Sequence, residues 1–162
     1  MCVAVALLVF GVLAGSTSVI FNKLSSEHPL LLAGGRQLIA AVVLLPLAIR
    51  DWKGSGLSLS ATLRRTALPG LVLALHFITW ITGSRQTLAA NAALIVNLVP
   101  LVMPFLLALA VGEQVTAGEA GGSLLALAGV TLLAVSDIRL GLATWQGDLL
   151  CLVSMLTYAV YL

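Results

Sequence analysis

Charged residues are scarce in this chain. Only 9% of its 162 residues are Asp, Glu, Lys or Arg, whereas an ordinary soluble domain carries about 25%. The mean hydropathy is +1.14, and 60% of the residues are hydrophobic. The net charge of +2 is small and lies mostly in connecting segments, which argues against a nucleic-acid partner. These figures exclude an ordinary soluble domain and predict a membrane protein in contact with the lipid bilayer.

Several enzyme motifs are also missing. The sequence contains no H-E-x-x-H, no G-x-S-x-G and no Gly-rich phosphate loop followed by Lys, the patterns of zinc proteases, serine hydrolases and P-loop ATPases. Cys2 and Cys151 lie far apart inside apolar runs, a spacing that favours packing roles over a zinc or redox site. Glu113 and Glu119 lie in or beside a turn, so we expect no carboxylate proton relay in this region. We therefore expect no enzyme activity, metal or cofactor.

The chain is organised around residues 89–135, where two uncharged runs flank a short acidic turn. The first run, residues 91–111, is long enough to cross a hydrocarbon core about 30 Å thick. The second run begins with a T-x-x-E pattern at Thr116 and Glu119, which predicts a capped helix start. Four small residues then share one face of that helix: Gly118, Gly122, Ala126 and Gly129. Because such faces allow close helix contact in lipid, we predict a tight transmembrane hairpin.

Three earlier apolar runs complete a set of five predicted crossings. They cover residues 2–21, 29–49 and 67–84, and Pro29 suits the first position of the second helix. The polar segment 50–66 predicts a solvent loop or a short interfacial helix. A cleaved signal peptide is the rival interpretation of the first run, but no basic segment precedes it. The predicted fold class is an all-α membrane protein with a five-helix transmembrane bundle.

A partial sixth helix follows this bundle. The apolar segment 149–162 is too short to span a bilayer, and a terminal carboxylate there would lie at a costly depth. We therefore expect a truncated chain, with residues 2–137 forming one five-helix repeat and residues 147–162 beginning a second. After five crossings the sixth helix has the opposite polarity to the first, which would generate an inverted repeat.

The basic residues indicate the orientation in the membrane. Four of them lie between helices two and three: Arg50, Lys53, Arg64 and Arg65. The other connecting segments carry Lys23, Arg85 and Arg139, spread over three loops on the opposite side. Because cytoplasmic loops carry an excess of Lys and Arg, this bias favours a cytoplasmic N-terminus.

Polar residues on helices two and three are candidate solute contacts. His76, Thr79, Trp80 and Gly83 recur at three- and four-residue spacing, so they form one stripe that faces protein or water. This stripe is either an interhelical hydrogen-bonded seam or a cavity wall that contacts substrate. Arg36, about two turns into helix two, either snorkels to the interface or faces a polar cavity and meets an anionic group.

Helix four combines two asparagines, Asn91 and Asn97, with two prolines. Pro100 has no N–H for the Val96 carbonyl, and Pro104 likewise has none for the Pro100 carbonyl, so the helix is predicted to kink. Broken helices at membrane depth often line transporter binding sites, although a kink also serves plain packing.

Five sequence blocks, in this order, resemble the EamA family of the drug/metabolite transporter superfamily. They are Gly15-Ser16-Thr17 with Lys23, Pro29 through Arg36, Leu75-His76-Phe77 with Trp80, Leu98-Val99-Pro100-Leu101, and Gly112-Glu113 followed by Gly122 and Gly129-Val130. Gly147-Asp148-Leu149-Leu150 with Thr157-Tyr158-Ala159-Val160-Tyr161 resembles the opening of the family's second repeat.

The resemblance implies ten helices in two inverted halves and a secondary transporter, often an exporter of amino acids, metabolites or drug-like molecules. We expect a cell-membrane location, a small-molecule substrate, and a partner that is either the missing C-terminal half or a second copy. The expected substrate-binding residues are His76, Trp80, Asn91, Asn97, Tyr158 and Arg36. The alternative is a non-transporting membrane scaffold or sensor, or a fragment that dimerises.

Overall fold

The fold is built from helices alone in the described part of the chain. The computed structural model describes residues 2–139 and 144–162, and no strand occurs among them. Seven helices follow in order: α1 (Cys2–Leu24), α2 (Pro29–Ser55), α3 (Leu59–Gln86), α4 (Ala89–Val96), α5 (Val99–Val111), α6 (Ala117–Arg139) and α7 (Trp145–Tyr161).

Three helical segments are long and apolar enough to cross a membrane: Pro29–Ser55, Leu59–Gln86 and Ala89–Val111, the last combining α4 and α5. Two shorter apolar stretches lie in α1 and α6. Large aliphatic side chains point outward along these helices, among them Leu109 at 87% and Leu125 at 76% exposure. Such surfaces suit hydrocarbon rather than water, which confirms the predicted all-α membrane protein.

Helix α3 lies at the centre of the bundle. It contacts α1, α2, α4 and α7, and its most extensive contact is with α7. Most of the buried apolar side chains form one cluster around it: Val19, Ala33, Trp80, Ile81, Ala92, Ile95 and Cys151. A smaller cluster joins α5 and α7 through Val99, Met155 and Ala159. The packing role expected for Cys151 is confirmed, whereas the side chain of Cys2 lies outside the described residues.

The polar segment 50–66 is helical except for a short turn, so the predicted solvent loop is wrong, and the helix forms as extensions of α2 and α3 rather than as a separate short interfacial helix. Helix α2 continues to Ser55 and α3 begins at Leu59. Gly56 ends α2 with a left-handed φ of 67°, which glycine adopts without strain, and Ser58 Oγ accepts the N–H of Ala61 at 3.3 Å. Continued helix satisfies the backbone hydrogen bonds while the charged side chains project into solvent, so polarity alone does not end the helices here.

The fourth apolar run is broken into two helices. Helix α4 ends at Val96 and α5 begins at Val99. The N–H of Leu98 donates to the Ile95 carbonyl oxygen at 3.1 Å, a tightened three-residue turn of the kind found at helix ends. Pro100 occupies the first turn of α5, where its missing N–H is tolerated. The predicted disruption by this proline is confirmed as an interruption of two residues, Asn97 and Leu98.

The connection between α5 and α6 confirms one prediction and corrects another. The Thr116 N–H donates to Glu119 Oε2 at 2.8 Å, and the Glu119 N–H donates to Thr116 Oγ1 at 3.3 Å, so the capping box is present. The small-residue face does not make a tight hairpin. A Cβ built at Gly118, Gly122 or Gly129 meets nothing within 4 Å.

A cavity separates these two helices instead. Ser123 Oγ on α6 donates to the Leu101 carbonyl oxygen on α5 at 2.6 Å. Beside this contact lies a cavity of about 450 Å³ between α5, α6 and α7, lined by side chains that include Phe105 and Leu127. Because α6 directs these larger side chains toward α5, its residues Gly118, Gly122 and Gly129 do not pack against α5.

Candidate functional site

Helices α3 and α7 pack against each other through glycine. A Cβ on Gly83 would lie 2.9 Å from the backbone nitrogen of Cys151, and a Cβ on Gly147 would lie 2.5 Å from the carbonyl carbon of Gln86. Residues near 86 therefore meet residue 147, while His76 meets Ser154. This order shows that the two helices run antiparallel. The glycines allow the two backbones to touch.

His76 is the central polar group of this contact. Its Nδ1 lies 2.9 Å from both the carbonyl oxygen and the Oγ of Ser154. The carbonyl oxygen can only accept, so Nδ1 carries a hydrogen in this arrangement. Ser154 Oγ in turn donates to the His76 carbonyl oxygen at 3.2 Å. Both residues are buried, and their reciprocal bonds satisfy polar groups that lipid could not.

A row of rings extends from His76 in two directions. Tyr158 stacks on the imidazole with ring centroids 4.8 Å apart, and Tyr161 follows at 6.3 Å from Tyr158. On the other side Phe77 meets the imidazole edge to face at 5.0 Å. The Arg36 guanidinium carbon lies 5.2 Å from the Phe77 ring centroid, within the range of a cation–π contact. This row connects α2, α3 and α7.

Arg36 lines an open, mostly apolar cavity between α1 and α2. Its Nη1 donates to Ser18 Oγ at 3.2 Å and to Asn22 Oδ1 at 3.3 Å. Asn22 is almost fully buried and donates from Nδ2 to Ser84 Oγ at 3.4 Å. The cavity measures about 410 Å³ and is lined by Ala14, Thr17, Ser18, Phe21, Asn22, Leu32 and Arg36. The guanidinium faces this cavity with uncharged hydrogen-bond partners, so the expected meeting of Arg36 with an anionic group stays a prediction.

Two further cations, Arg85 and Lys23, lie close to Asn22. Arg85 donates from Nε to the Asn22 carbonyl oxygen at 2.8 Å and from Nη1 to the Glu27 carbonyl oxygen at 2.6 Å. Its Nη2 is buried and makes no hydrogen bond to any residue in the described ranges. Lys23 donates to the Thr87 carbonyl oxygen. Asn22 thus links Arg36 through its side chain to Arg85 through its backbone.

One carboxylate is buried near these cations. Asp148, in the first turn of α7, is 8% exposed. Its two oxygens accept hydrogen bonds from the hydroxyls of Thr87 and Thr144, and a carboxylate in the first turn suits the positive end of the helix dipole. These bonds hold Asp148 at the α3–α7 contact.

Three of the six residues expected to bind substrate belong to one connected row. His76 and Tyr158 stack directly, and Arg36 joins them through the ring of Phe77. The stripe containing His76 is buried, with His76 and Gly83 against α7 and Trp80 in the main apolar cluster, so in this arrangement it forms an interhelical seam.

The other three expected residues lie elsewhere. Trp80 is buried in the main apolar cluster, and Asn91 is buried on α4. Asn97 is exposed at the helix break, where its Nδ2 donates to the Ala93 carbonyl oxygen at 2.7 Å. The structure therefore does not bring the six residues together around one cavity.

Several polar residues of the site were not among those expected to bind substrate. They are Asn22, Ser84, Thr87, Asp148 and Ser154, all buried at the contacts of α3 with α1 and α7. Each is a small polar residue in or beside an apolar run, and such residues tend to face other helices in membranes. That signal points to helix contacts, but it does not identify which helix is the partner.

Comparison with known proteins matches most of this chain to a family model. The family model described as the EamA-like transporter family matches residues 2–135. No curated protein and no solved structure matches the chain. The matched range covers α1 to α5, most of α6, and the residues around the Arg36 cavity.

Proposed function

Since the chain belongs to the EamA-like transporter family, whose members are membrane transporters of the drug/metabolite type, we propose that it is a secondary transporter that exports a small organic solute by alternating access. Its partners in this proposal are the solute, the bilayer and a second unit. That unit is either a C-terminal half or a second copy of this chain, in keeping with the two inverted halves that the family resemblance implies.

The helix break between α4 and α5 is the observation that carries this proposal. It interrupts an apolar segment, Ala89–Val111, that is otherwise long enough to span the membrane. Irregular backbone at membrane depth is tolerated where it is buried in protein or lines a cavity, and discontinuous helices of this kind often form transporter binding sites. Asn97 is exposed at this break and its Nδ2 donates to the Ala93 carbonyl oxygen, so the amide oxygen is the atom that it offers to a solute.

We propose that the solute contacts change between two arrangements of the helices. In the described arrangement Arg36 lines an open cavity, whereas His76, Trp80 and Asn91 are covered by packing. Movement of α7 along α3 would uncover His76 by separating it from Tyr158, which lies on α7 and stacks on the imidazole in the described arrangement. Two discrete arrangements around one site are the physical requirement of alternating access.

The proposed orientation has a cytoplasmic N-terminus. The end formed by the α2–α3 connection carries four basic residues: Arg50, Lys53, Arg64 and Arg65. The short α1–α2 connection brings Leu24 and Pro29 to the opposite end, so the start of α1 lies at the strongly basic end. An excess of Lys and Arg favours the cytoplasmic side.

The proposal is tested with purified protein in liposomes preloaded with a panel of radiolabelled amino acids and other small metabolites. We expect faster release of at least one solute from these vesicles than from protein-free ones. Asn97→Ala should reduce that release about tenfold, the scale of one lost hydrogen bond to a charged group. Arg64→Gln, an exposed basic residue at the far end of α3, is the matched control and should transport normally.

A folded protein that releases none of the panel would favour the alternative, a membrane scaffold. Equal release by wild type and Asn97→Ala would support transport but remove the helix break from the solute path. Monodisperse elution of each variant in detergent establishes that the comparison concerns folded protein.

A further inference from the structure

We infer that the α1–α2 cavity is an anion subsite, in which Arg36 binds a carboxylate or phosphate group of the solute. This inference rests on the proposed function, because it assigns the chemical class of the molecule that the protein transports. It follows from the free donors of the guanidinium, the charges around it and the shape of the cavity.

Two nitrogen donors of the Arg36 guanidinium make no hydrogen bond to described residues. Both hydrogen bonds that Arg36 makes to described residues use Nη1, so Nε and Nη2 are left for another acceptor. The Phe77 ring and the Asn22 side chain both contact the guanidinium and hold it in place. Two parallel N–H donors in a planar fork match the two oxygens of a carboxylate or phosphate group.

The surrounding charges favour an anion. Arg36 is half-buried, and its hydrogen-bond partners Ser18 and Asn22 are uncharged. Arg85 donates to the backbone carbonyl oxygen of the same Asn22, so a second cation lies close by. Asp148 is held instead by threonine hydroxyls at the α3–α7 contact. A cation at membrane depth without a counter-ion is costly, and an anionic ligand would relieve that cost.

The cavity also suits a particular kind of anion. Its volume of about 410 Å³ lies in the range of small-molecule sites. The Arg36 side is polar, whereas Phe21, Leu32 and Ala14 line the rest with apolar surface. The structure therefore favours a small organic anion with an apolar body. A phospholipid headgroup shares the anionic chemistry, so the experiment has to separate the two sources.

The test uses benzoate as the probe and benzamide as its neutral counterpart. The thermal unfolding temperature of the purified protein in a neutral detergent is measured against the concentration of each compound at constant ionic strength. We expect benzoate, but not benzamide, to raise that temperature. Arg36→Gln should raise the half-saturating benzoate concentration about tenfold or more, Arg36→Lys should raise it less, and Arg64→Gln should leave it unchanged.

A second variant guards against a folding defect in Arg36→Gln. Ala14→Phe places a ring in the cavity while keeping the guanidinium, and it should weaken benzoate binding by a similar factor. Equal benzoate responses in wild type, Arg36→Gln and Ala14→Phe, or an equal response to benzamide, would overturn the inference.

The lipid source is examined in nanodiscs of phosphatidylcholine with and without phosphatidylglycerol. Stabilisation by phosphatidylglycerol that depends on Arg36, without any response to benzoate, would overturn the assignment to a solute and favour a headgroup. Benzoate binding is measured without transport, so it stands even if the liposomes release nothing. Conversely, transport of neutral solutes that is unaffected by Arg36→Gln would refute the anion subsite and leave the proposed function intact.

Discussion

Glycine allows close backbone contact on one side of this bundle, between α3 and α7, but faces open space on the other side, along α6. Between α3 and α7, Gly83 and Gly147 lie where no Cβ would fit, because neighbouring backbone atoms are within 2.9 Å. On α6, Gly122 and Gly129 have nothing within 4 Å of an added Cβ, and a cavity of about 450 Å³ lies between α5, α6 and α7. The difference teaches that a small-residue pattern permits close packing but does not specify it.

The α3–α7 contact, which we call the closed side, differs from the α5–α6 contact in the surface that packs against its glycines. Opposite Gly83 the α7 helix presents the Cys151 backbone nitrogen, the Gly147 carbonyl oxygen and the Leu150 Cβ, and the same helix contact carries the reciprocal bonds of His76 and Ser154. In lipid, association depends on van der Waals packing and hydrogen bonds, because hydrophobicity does not drive it. The α3–α7 side has both, whereas the α5–α6 side has a single described bond from Ser123 and loses dispersion contacts across its cavity.

The largest effect should come from closing the space at Gly147. Gly147→Ala introduces a Cβ 2.5 Å from the Gln86 carbonyl carbon and 2.7 Å from the Thr87 nitrogen, so the backbones must separate. Overpacking of this kind typically costs 1–3 kcal/mol, and we expect a loss of about 3 kcal/mol in the free energy of unfolding. Reversible unfolding in mixed detergent micelles, followed by circular dichroism, measures it.

The matched control is Gly122→Ala on α6, where the new methyl group has open space. Alanine is the better helix former by about 1 kcal/mol, so this variant should be neutral or slightly more stable. If the two substitutions changed stability equally, the contrast between the closed and open sides would be refuted.

A somewhat smaller effect is expected from enlarging alanine on each side. Ala159 is 4% exposed and packs with Val99 and Met155, so Ala159→Leu should cost about 2 kcal/mol by overpacking. Ala126 borders the α5–α6 cavity, so Ala126→Leu should be accepted with little change or a small gain. The same unfolding measurement compares them, and a larger loss for Ala126→Leu would show that the cavity is closed in the membrane.

Most of the fold could be predicted from the sequence because lipid imposes simple rules. Apolar length predicted the membrane helices, the T-x-x-E pattern predicted the start of α6, and Pro100 predicted the break before α5. The segment 50–66 could not be read correctly, since its polar composition fits a solvent loop and an exposed helix equally well. The choice depends on backbone hydrogen bonding, which composition does not encode.

The candidate site was less predictable than the fold. Periodicity correctly placed His76 and Trp80 on a buried face, but it could not say that α7 covers His76. The contacts of Arg36 with Ser18 and Asn22 join two helices, and such a pairing depends on how each helix is rotated about its axis. Two asparagines on one apolar run likewise separated, with Asn91 buried and Asn97 exposed.

The smallest expected effect comes from removing one serine hydroxyl at the α3–α7 contact and one at the α5–α6 contact. Ser154→Ala removes the Oγ contact with His76 Nδ1 and the bond to the His76 carbonyl oxygen, whereas Ser123→Ala removes one bond to Leu101. Interhelical hydrogen bonds in membrane proteins contribute about 0.6 kcal/mol on average. We expect Ser154→Ala to lose about 1 kcal/mol and Ser123→Ala about half of that. The free energy of unfolding of each variant, measured in mixed micelles, gives both values.

A double-mutant cycle that combines Ser154→Ala with His76→Ala tests whether the stability lost in Ser154→Ala comes from its hydrogen bonds with His76. The Ser154 carbonyl oxygen still accepts from His76 Nδ1 in Ser154→Ala, so the coupling between the two side chains should be only part of the loss caused by His76→Ala. A coupling near zero would mean that glycine packing alone closes the α3–α7 side, and that the polar seam follows from that packing rather than supporting it. A coupling of about 1 kcal/mol would show that the hydrogen bonds and the close backbone approach stabilise each other, which is the feature that the α5–α6 side lacks.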